Sequence, residues 1–400
     1  MTGASTALIG DFCKTGSGGT PSRSNSARYY EDGTIPWVKS GELREGLITS
    51  TDERITPAAL KESSVKLVPS GAILLAMYGA TVGRLAILGI EATTNQAVCH
   101  IVPEPRVADT RYVYHAIASQ VPAIIAMGVG GAQPNISQAL IRDLRVPLPP
   151  LPEQRRIAAI LDQADALRAK RREALAQLDS LTQSIFIEMF GDNTQTPVTV
   201  GDRLALHNKG WRWELLNDVA RLATGHTPDR KRDDYWNGDI PWITLTEIRS
   251  LDGQVALTTR EKITKLGIDN SSAVKLPVGT VCFSRTASVG YVTIMGREMA
   301  TSQDFVNWIC GSRINATFLM HALRLSRRRL RALSTGSTHQ TIYFPTVQQF
   351  RVLVPPVALQ NRFAERMLAV EKLKATARTS QSELDTLFAS LQHRAFRGEL

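Results

Sequence analysis

The sequence predicts an α+β chain: two tandemly duplicated α/β lobes separated by two long helices that form an antiparallel intramolecular coiled coil. Three observations predict it. The stretch DGTIPWVKSGEL at residues 32–43 returns as NGDIPWITLTEI at 237–248. Other matches keep the same order in both halves, at separations of 205 to 207 residues. After each copy, apolar residues recur at alternating spacings of three and four, the pattern of a helical seam.

The repeat comes first because it organises everything else. Gly19-Thr20-Pro21 matches His226-Thr227-Pro228, and Tyr30 with Gly33 matches Tyr235 with Gly238. Ala80-Thr81-Val82-Gly83 matches Ala287-Ser288-Val289-Gly290, and Thr94-Asn95-Gln96 matches Thr301-Ser302-Gln303. Val146 to Pro150 matches Val352 to Pro356. A tandem duplication of roughly 200 residues explains this ordered set.

Each lobe is rich in β-branched residues and turn signals. VKLVPSGAILLAMYG and AVKLPVGTVCFSR both read as a turn feeding a buried strand. TRYVYHAIASQ and NATFLMHALRLS read as short helices packed on a curved or barrel-like sheet. Gly79 to Arg84 reads as a strand–turn–strand corner, and Gly16 to Gly19 as a flexible loop. The leader KGWRWELL, residues 209–216, has no evident counterpart in the first lobe, so that lobe's N-terminal edge is expected to be less covered.

The helical parts follow the two Pro-Pro steps, where proline is tolerated in a first turn. The first seam is Ile157, Ile160, Ala164, Leu167, Arg171, Ala174, Leu178, Leu181 and Ile185. The second is Phe363, Arg366, Val370, Leu373, Ala377, Ser380, Leu384, Leu387 and Leu391. Each seam finds a partner of equal length in the same chain. The expected segments are 1–150 and 193–356 for the lobes, and 151–192 and 357–400 for the helices. At about 1.5 Å per residue, 152–190 makes a rod of roughly 58 Å. Such a rod suits two lobes placed over separated sites on a duplex, whose turn is about 34–36 Å. A rod that only links or dimerises is the other reading.

Composition narrows the partner. The chain has 400 residues, 43% of them hydrophobic, and a formal net charge of +10. Residues 191–357 hold 21 Lys and Arg against 14 Asp and Glu, including the run Arg324, Arg327, Arg328, Arg329 and Arg331. A basic lobe suits a polyanion. No uncharged apolar run is long enough to span a membrane, and the N-terminus lacks a leader pattern. The four cysteines form no CxxC pair, so a cytoplasmic protein with reduced thiols is expected.

The chemistry of an enzyme is missing. There is no G-x-x-x-x-G-K-[ST] loop, no HExxH and no paired Cys/His spacing. The Pro-Pro steps follow Leu148 and Val354, not the Asn or Asp that the amino-methyltransferase tetrapeptide needs. No catalytic group, metal or cofactor is expected.

The order of these features closely resembles the specificity subunits of Type I restriction–modification systems. The resemblance rests on GTP…Y…G-x-IPW, PPLPEQRRIAAILDQADALRAKR, FIEMFGD, the second HTP…Y…G-D-IPW, a second Pro-Pro helix and a final AFRGEL. It covers essentially the whole chain. It implies that each lobe is a target recognition domain for half of a bipartite DNA sequence. It implies that the helices act as spacer and dock two methyltransferase subunits carrying S-adenosylmethionine, which restriction subunits can join. The second box departs from the first: PPVALQ has Leu359 where PPLPEQ has Glu153, which makes equal docking at both helices an open point. The recognition module of a variant restriction or methylation system is the alternative. A coiled-coil scaffold that binds no DNA is a third reading.

Base edges are read by Arg, Lys, Asn, Gln and small hydroxyls. The candidates in the first lobe are Thr20, Arg23, Lys39, Ser40, Arg84, Gln133 and Asn135. In the second they are Thr227, Arg230, Lys231, Arg232, Thr244, Thr246, Arg285, His339 and Gln340. Tyr29, Tyr30, Tyr235, Trp37 and Trp242 could stack on bases, but are expected to pack at the base of their loops. Lys39-Ser40 faces Thr244-Leu245, and Gln133-Pro134-Asn135 faces His339-Gln340-Thr341, so the two half-sites are expected to differ.

Overall fold

A computed structural model describes residues 5–44, 46–127, 135–191, 210–336 and 340–400. Two compact units divide the chain: Met1–Arg172 with Thr379–Leu400, and Glu173–Arg378. Each unit therefore holds one lobe with parts of both long helices.

In the first unit the main sheet has five strands, in the order Cys13–Ser17, Val98–Pro103, Ile73–Ala76, Leu85–Leu88, Leu47–Ile48. Neighbours run antiparallel except the last pair, which is parallel. A second sheet orders Glu53–Ile55, Ile35–Val38, Ala92–Thr94 and Leu67–Val68. Ile73 to Ala76 and Leu85 to Leu88 are buried on both faces, which is why they read as continuous apolar runs. The helix Thr110–Met127 covers one face through Tyr112, Val113, Ala116 and Ile117.

The second unit repeats this plan. Its main sheet runs Ala220–Thr224, Phe305–Cys310, Val281–Ser284, Val292–Met295, Val255–Ala256, again with only the last pair parallel. Its second sheet orders Lys262–Ile263, Trp236–Ile243 and Ala300–Thr301, and the fourth strand shrinks to a single bridge between Leu276 and Met299. The helix Ala316–Leu325 takes the covering role.

Two local expectations are corrected. The first lobe does have a leader: Thr6–Leu8 pairs with Arg145–Pro147, as Arg212–Leu215 pairs with Arg351–Val354. The letters share little beyond Leu8 with Leu215 and Asp11 with Asp218, so the likeness is carried by the pairing more than by residue type. Gly16 to Gly19 is not a flexible loop. Gly16 lies in a strand, and a Cβ on Gly18 would sit 2.0 Å from the Thr94 carbonyl oxygen. Gly225 is held the same way, 2.1 Å from the Ser302 carbonyl oxygen. These glycines answer to close backbone approach.

The long helices span Leu151–Phe190 and Val357–Arg397. Within the first unit they run antiparallel: Arg156 Nη2 donates to the Leu400 carbonyl at 2.6 Å, and Arg168 Nε to Asp385 at 2.7 Å. Within the second unit Lys374 Nζ meets Asp179 at 2.8 Å, and the Phe186 and Phe363 rings lie 5.3 Å apart. Half of the expected seam holds, with Ile157, Ala164, Phe363, Val370 and Ala377 buried, and the alternate positions are displaced. Leu167 and Leu181 are 47% and 42% exposed, and Leu373 and Leu387 are 58% and 49% exposed. Ile160 is half-buried and Arg366 exposed. The inward positions in their place are Leu161, Arg168 and Thr182 in one helix and Met367, Lys374 and Phe388 in the other, each one residue further on. The helices also pack on their own lobes, and ion pairs fill seam positions that an apolar count assigns to leucine.

Each helix starts on a buried glutamine. Gln154 Nε2 donates to the carbonyls of Pro149 (2.8 Å) and Val107 (3.0 Å), and its Oε1 accepts from Asp109 N–H at 2.9 Å. Gln360 repeats this with Pro355 (2.8 Å), Arg313 (3.1 Å) and Asn315 N–H (2.8 Å). The glutamine of each Pro-Pro box thus fastens a helix to its lobe. The Glu153/Leu359 difference leaves this fastening intact, because Glu153 turns outward to Arg156.

Candidate nucleic-acid interface

The repeated Ile-Pro-Trp is a frame. Asp32 and Asn237 precede it with φ of +56° and +60°, a region Asn and Asp tolerate better than other side chains. Next come Gly33 and Gly238, where a Cβ would meet backbone oxygen at 2.6 and 2.5 Å. The strand then buries Trp37 and Trp242, 2% and 1% exposed. Their indole Nε1 groups donate to the carbonyls of Gly19 (3.1 Å) and His226 (3.2 Å). Each indole therefore holds the turn that carries Thr20 or Thr227.

Around that frame the two lobes build the same polar cluster. Thr20 Oγ1 donates to Gln96 Oε1, and Thr227 Oγ1 to Gln303 Oε1. Arg23 Nη2 donates to Glu53 at 2.6 Å, while its guanidinium lies 4.0 Å from the Tyr30 ring centre. Arg230 bonds Glu261 and lies 3.9 Å from Trp236. The functional match of Tyr30 is therefore Trp236, not Tyr235. Tyr235 corresponds instead to Tyr29, since both offer their carbonyl to the amide of a helix-capping threonine, Thr264 or Thr56.

The lobes differ one step along the strand. Lys39 Nζ donates to the other oxygen of Glu53 at 2.7 Å. These hydrogen bonds and the two nearby cations hold the Glu53 carboxyl below the usual carboxylate range, and Glu53 raises Lys39. In the second lobe the corresponding Thr244 shares a hydrogen bond with Thr246, Oγ1 to Oγ1, at 2.7 Å. Ser40 opens a 3₁₀ turn, Ser40–Glu42. Glu42 clamps that turn by accepting from the amides of Lys39 and Asp52, both at 3.0 Å. Glu247, 4% exposed, accepts from Arg260 N–H at 2.9 Å, and burial lifts its carboxyl above the usual range.

Other candidates, Arg285 excepted, stand apart from this cluster. Arg84 is exposed on a cavity of about 580 Å³ that Arg44, His115 and Arg168 also line. Arg285 Nη2 donates to the Gln303 carbonyl at 3.0 Å, so it joins the second lobe's cluster. The Gln340 carbonyl accepts from Ala287 N–H at 2.8 Å. Asn135 is exposed beside Ile136, whose amide donates to the Met77 carbonyl. Arg232 pairs with Asp234 at 2.7 Å, and Lys231 is exposed. Gln133 and His339 lie outside the described residues.

The basic run is less available than its letters suggest. Arg324 and Arg327 both pair with Asp252 (3.4 and 2.5 Å). Arg327 and Arg331 also donate to the carbonyls of Gly290 (2.7 Å) and Val289 (2.9 Å), and both flank the Tyr291 ring. Arg328 is exposed.

Sequence reasoning missed Gln96, Gln303, Glu53, Glu261, Glu42 and Glu247. A signal existed. TDERIT at 51–56 matches TREKIT at 259–264, and a Glu ends the polar stretch after each Ile-Pro-Trp. Among the described residues no three His, Cys, Asp or Glu side chains gather as a metal site, and no helix is long and apolar enough to cross a membrane. The cysteines are unbridged, and burial pushes the Cys13 and Cys99 thiols up to about 12.

Comparison with known proteins gives a consistent result. The family described as "Type I restriction modification DNA specificity domain" matches residues 4–177 and 208–385. The specificity subunit of the Type I restriction enzymes EcoR124I/EcoR124II from Escherichia coli is 31% identical over 180 residues, 44% of this chain and 44% of that one. This match thus spans less than half of that relative. The MjaIX specificity subunit of Methanocaldococcus jannaschii is 24% identical over 378 residues, 89% of this chain and 84% of that one. The solved S subunit of a Type I system from M. genitalium shares the fold at TM-score 0.57 and 14% identity, over 98% of this chain and 96% of that one. A chain from a structure of Type I complex assembly and conformational transition shares it at TM-score 0.59 and 19% identity, over 100% of this chain and 99% of that one.

Proposed function

Because the chain belongs to the Type I restriction–modification DNA specificity family, we propose that it is the non-catalytic subunit that selects the DNA target of such a complex. Each lobe, 1–150 and 193–356, reads one half of an asymmetric bipartite sequence. The helical segments, 151–192 and 357–400, set the spacing and dock two methyltransferase subunits, which bring S-adenosylmethionine and the methyl-transfer chemistry. Restriction subunits join the same assembly. The complex works in the cytoplasm, where its DNA is.

One observation carries this reading. The same Trp-anchored cluster of Thr, Gln, Arg and Glu occurs in both lobes, while the side chain beside it changes from Lys39 to Thr244. A shared frame with different tips suits two readers of different half-sequences. Phosphate contacts fix register, and base-edge contacts specify.

The test is binding by the chain together with its methyltransferase subunits. The logarithm of the affinity for duplex DNA should fall linearly with the logarithm of salt concentration, as counterion release requires. Binding that is absent, or indifferent to salt, would favour the scaffold reading.

A further inference from the structure

The internal duplication separates residues that support reading from residues that read. A group held the same way in both lobes cannot be what makes the two half-sequences differ. Arg23 and Arg230 are such groups: each guanidinium lies between a carboxylate, Glu53 or Glu261, and an aromatic face, Tyr30 or Trp236. Each also lies near the anchoring indole, 5.4 Å from Trp37 and 4.8 Å from Trp242. A guanidinium must present two parallel N–H groups to read guanine. In each of these two, one terminal nitrogen is bonded to the acid and the guanidinium face lies against the ring, which fixes the direction of the group in the same way in both lobes.

Lys39 differs. It bonds Glu53 Oε1, while Arg23 bonds Oε2 of the same carboxylate. Lysine is a mobile point charge on a flexible stem. Its departure leaves the Arg23–Glu53 clamp in place. In the second lobe Glu261 holds Arg230 and faces no lysine at the matching strand position, which is Thr244.

We infer that Arg23 and Arg230 are positioning residues common to both lobes, whereas Lys39, parked on Glu53, is a specificity-determining residue that swings to an acceptor edge, the O6 and N7 of guanine, in the first half-site. The inference rests on the proposed DNA-reading function.

The test maps methylated bases in cells carrying the complete system with wild-type chain, Lys39→Thr, Arg23→Gln or Arg230→Gln. Melting of each purified complex checks folding. Lys39→Thr should relax a guanine position in the first half and leave the second half unchanged. Arg23→Gln and Arg230→Gln should keep both half-sequences and lower the methylated fraction of sites several-fold. In parallel, Lys39→Thr is tested on duplexes carrying each of the four bases at each first-half position. Loss restricted to guanine at one position supports the inference. Equal loss on all sequences makes Lys39 a phosphate or structural contact and overturns it. A rewritten first half in Arg23→Gln overturns it as well. If the wild-type system yields no bipartite motif, the underlying function fails; if it yields one that Lys39→Thr leaves intact, only this inference fails.

Discussion

Replacing Gln154 or Gln360 by alanine should destabilise the protein by the same amount at either site, although the boxes PPLPEQ and PPVALQ differ. Each glutamine is fully buried and makes three hydrogen bonds of 2.8–3.1 Å. At about 1 kcal/mol net per bond, three bonds give about 3 kcal/mol. For a unit of roughly 200 residues this lowers Tm by about 6–12 °C. The local consequence is sharper: the amides of Asp109 and Asn315 lose their acceptor. Hydrogen exchange should therefore speed up at Asp109 in Gln154→Ala and at Asn315 in Gln360→Ala. Glu153→Ala is the control, since its partner Arg156 is half exposed and a surface pair contributes about 0–1 kcal/mol. A Gln360→Ala protein that melts with the wild type and protects Asn315 would refute the reasoning.

Further outcomes follow from the same geometry. Leu161→Ala, at a fully buried position, should cost about 2–5 kcal/mol, whereas Leu167→Ala, on the exposed side, should stay within about 0.5 kcal/mol; equal costs in denaturant melts would restore the original seam. Burial, helped by nearby Arg324 and Lys374, pushes His321 down to about 3. Its ordinary value is about 6.5, so below that pH the unfolded chain takes up a proton the folded one refuses. Stability should then fall as pH drops from about 6.5 toward 3, by up to about 1.4 kcal/mol per pH unit, and His321→Leu should remove that part of the slope. Inserting four helical residues within 168–182 lengthens the helix by about 6 Å. The gap between half-sequences should grow by one or two base pairs with both halves unchanged, as methylation mapping would show.

Much of the fold was readable because duplication checks itself. A pattern found twice in one order, such as Ile-Pro-Trp or the Pro-Pro box, must answer to a common backbone, and the positive φ of Asp32 and Asn237 supplies the reason. The strand Thr6–Leu8 was missed because pairing with Arg145–Pro147 needs only backbone groups. Half of the seam was misplaced because Arg168 and Lys374 face inward with their acids while Leu167 and Leu373, one residue earlier, face out. The site was legible as loops, not as contacts. Arg23 reads as a free cation until Glu53, thirty residues later, is seen beside it.

The central claim is that two copies of one scaffold read two different half-sequences. Mapping every methylated base in cells that carry the complete system tests it most directly. We predict a bipartite motif with two unlike halves at a fixed spacing. A perfect palindrome, or methylation at a single uninterrupted sequence, would contradict the account.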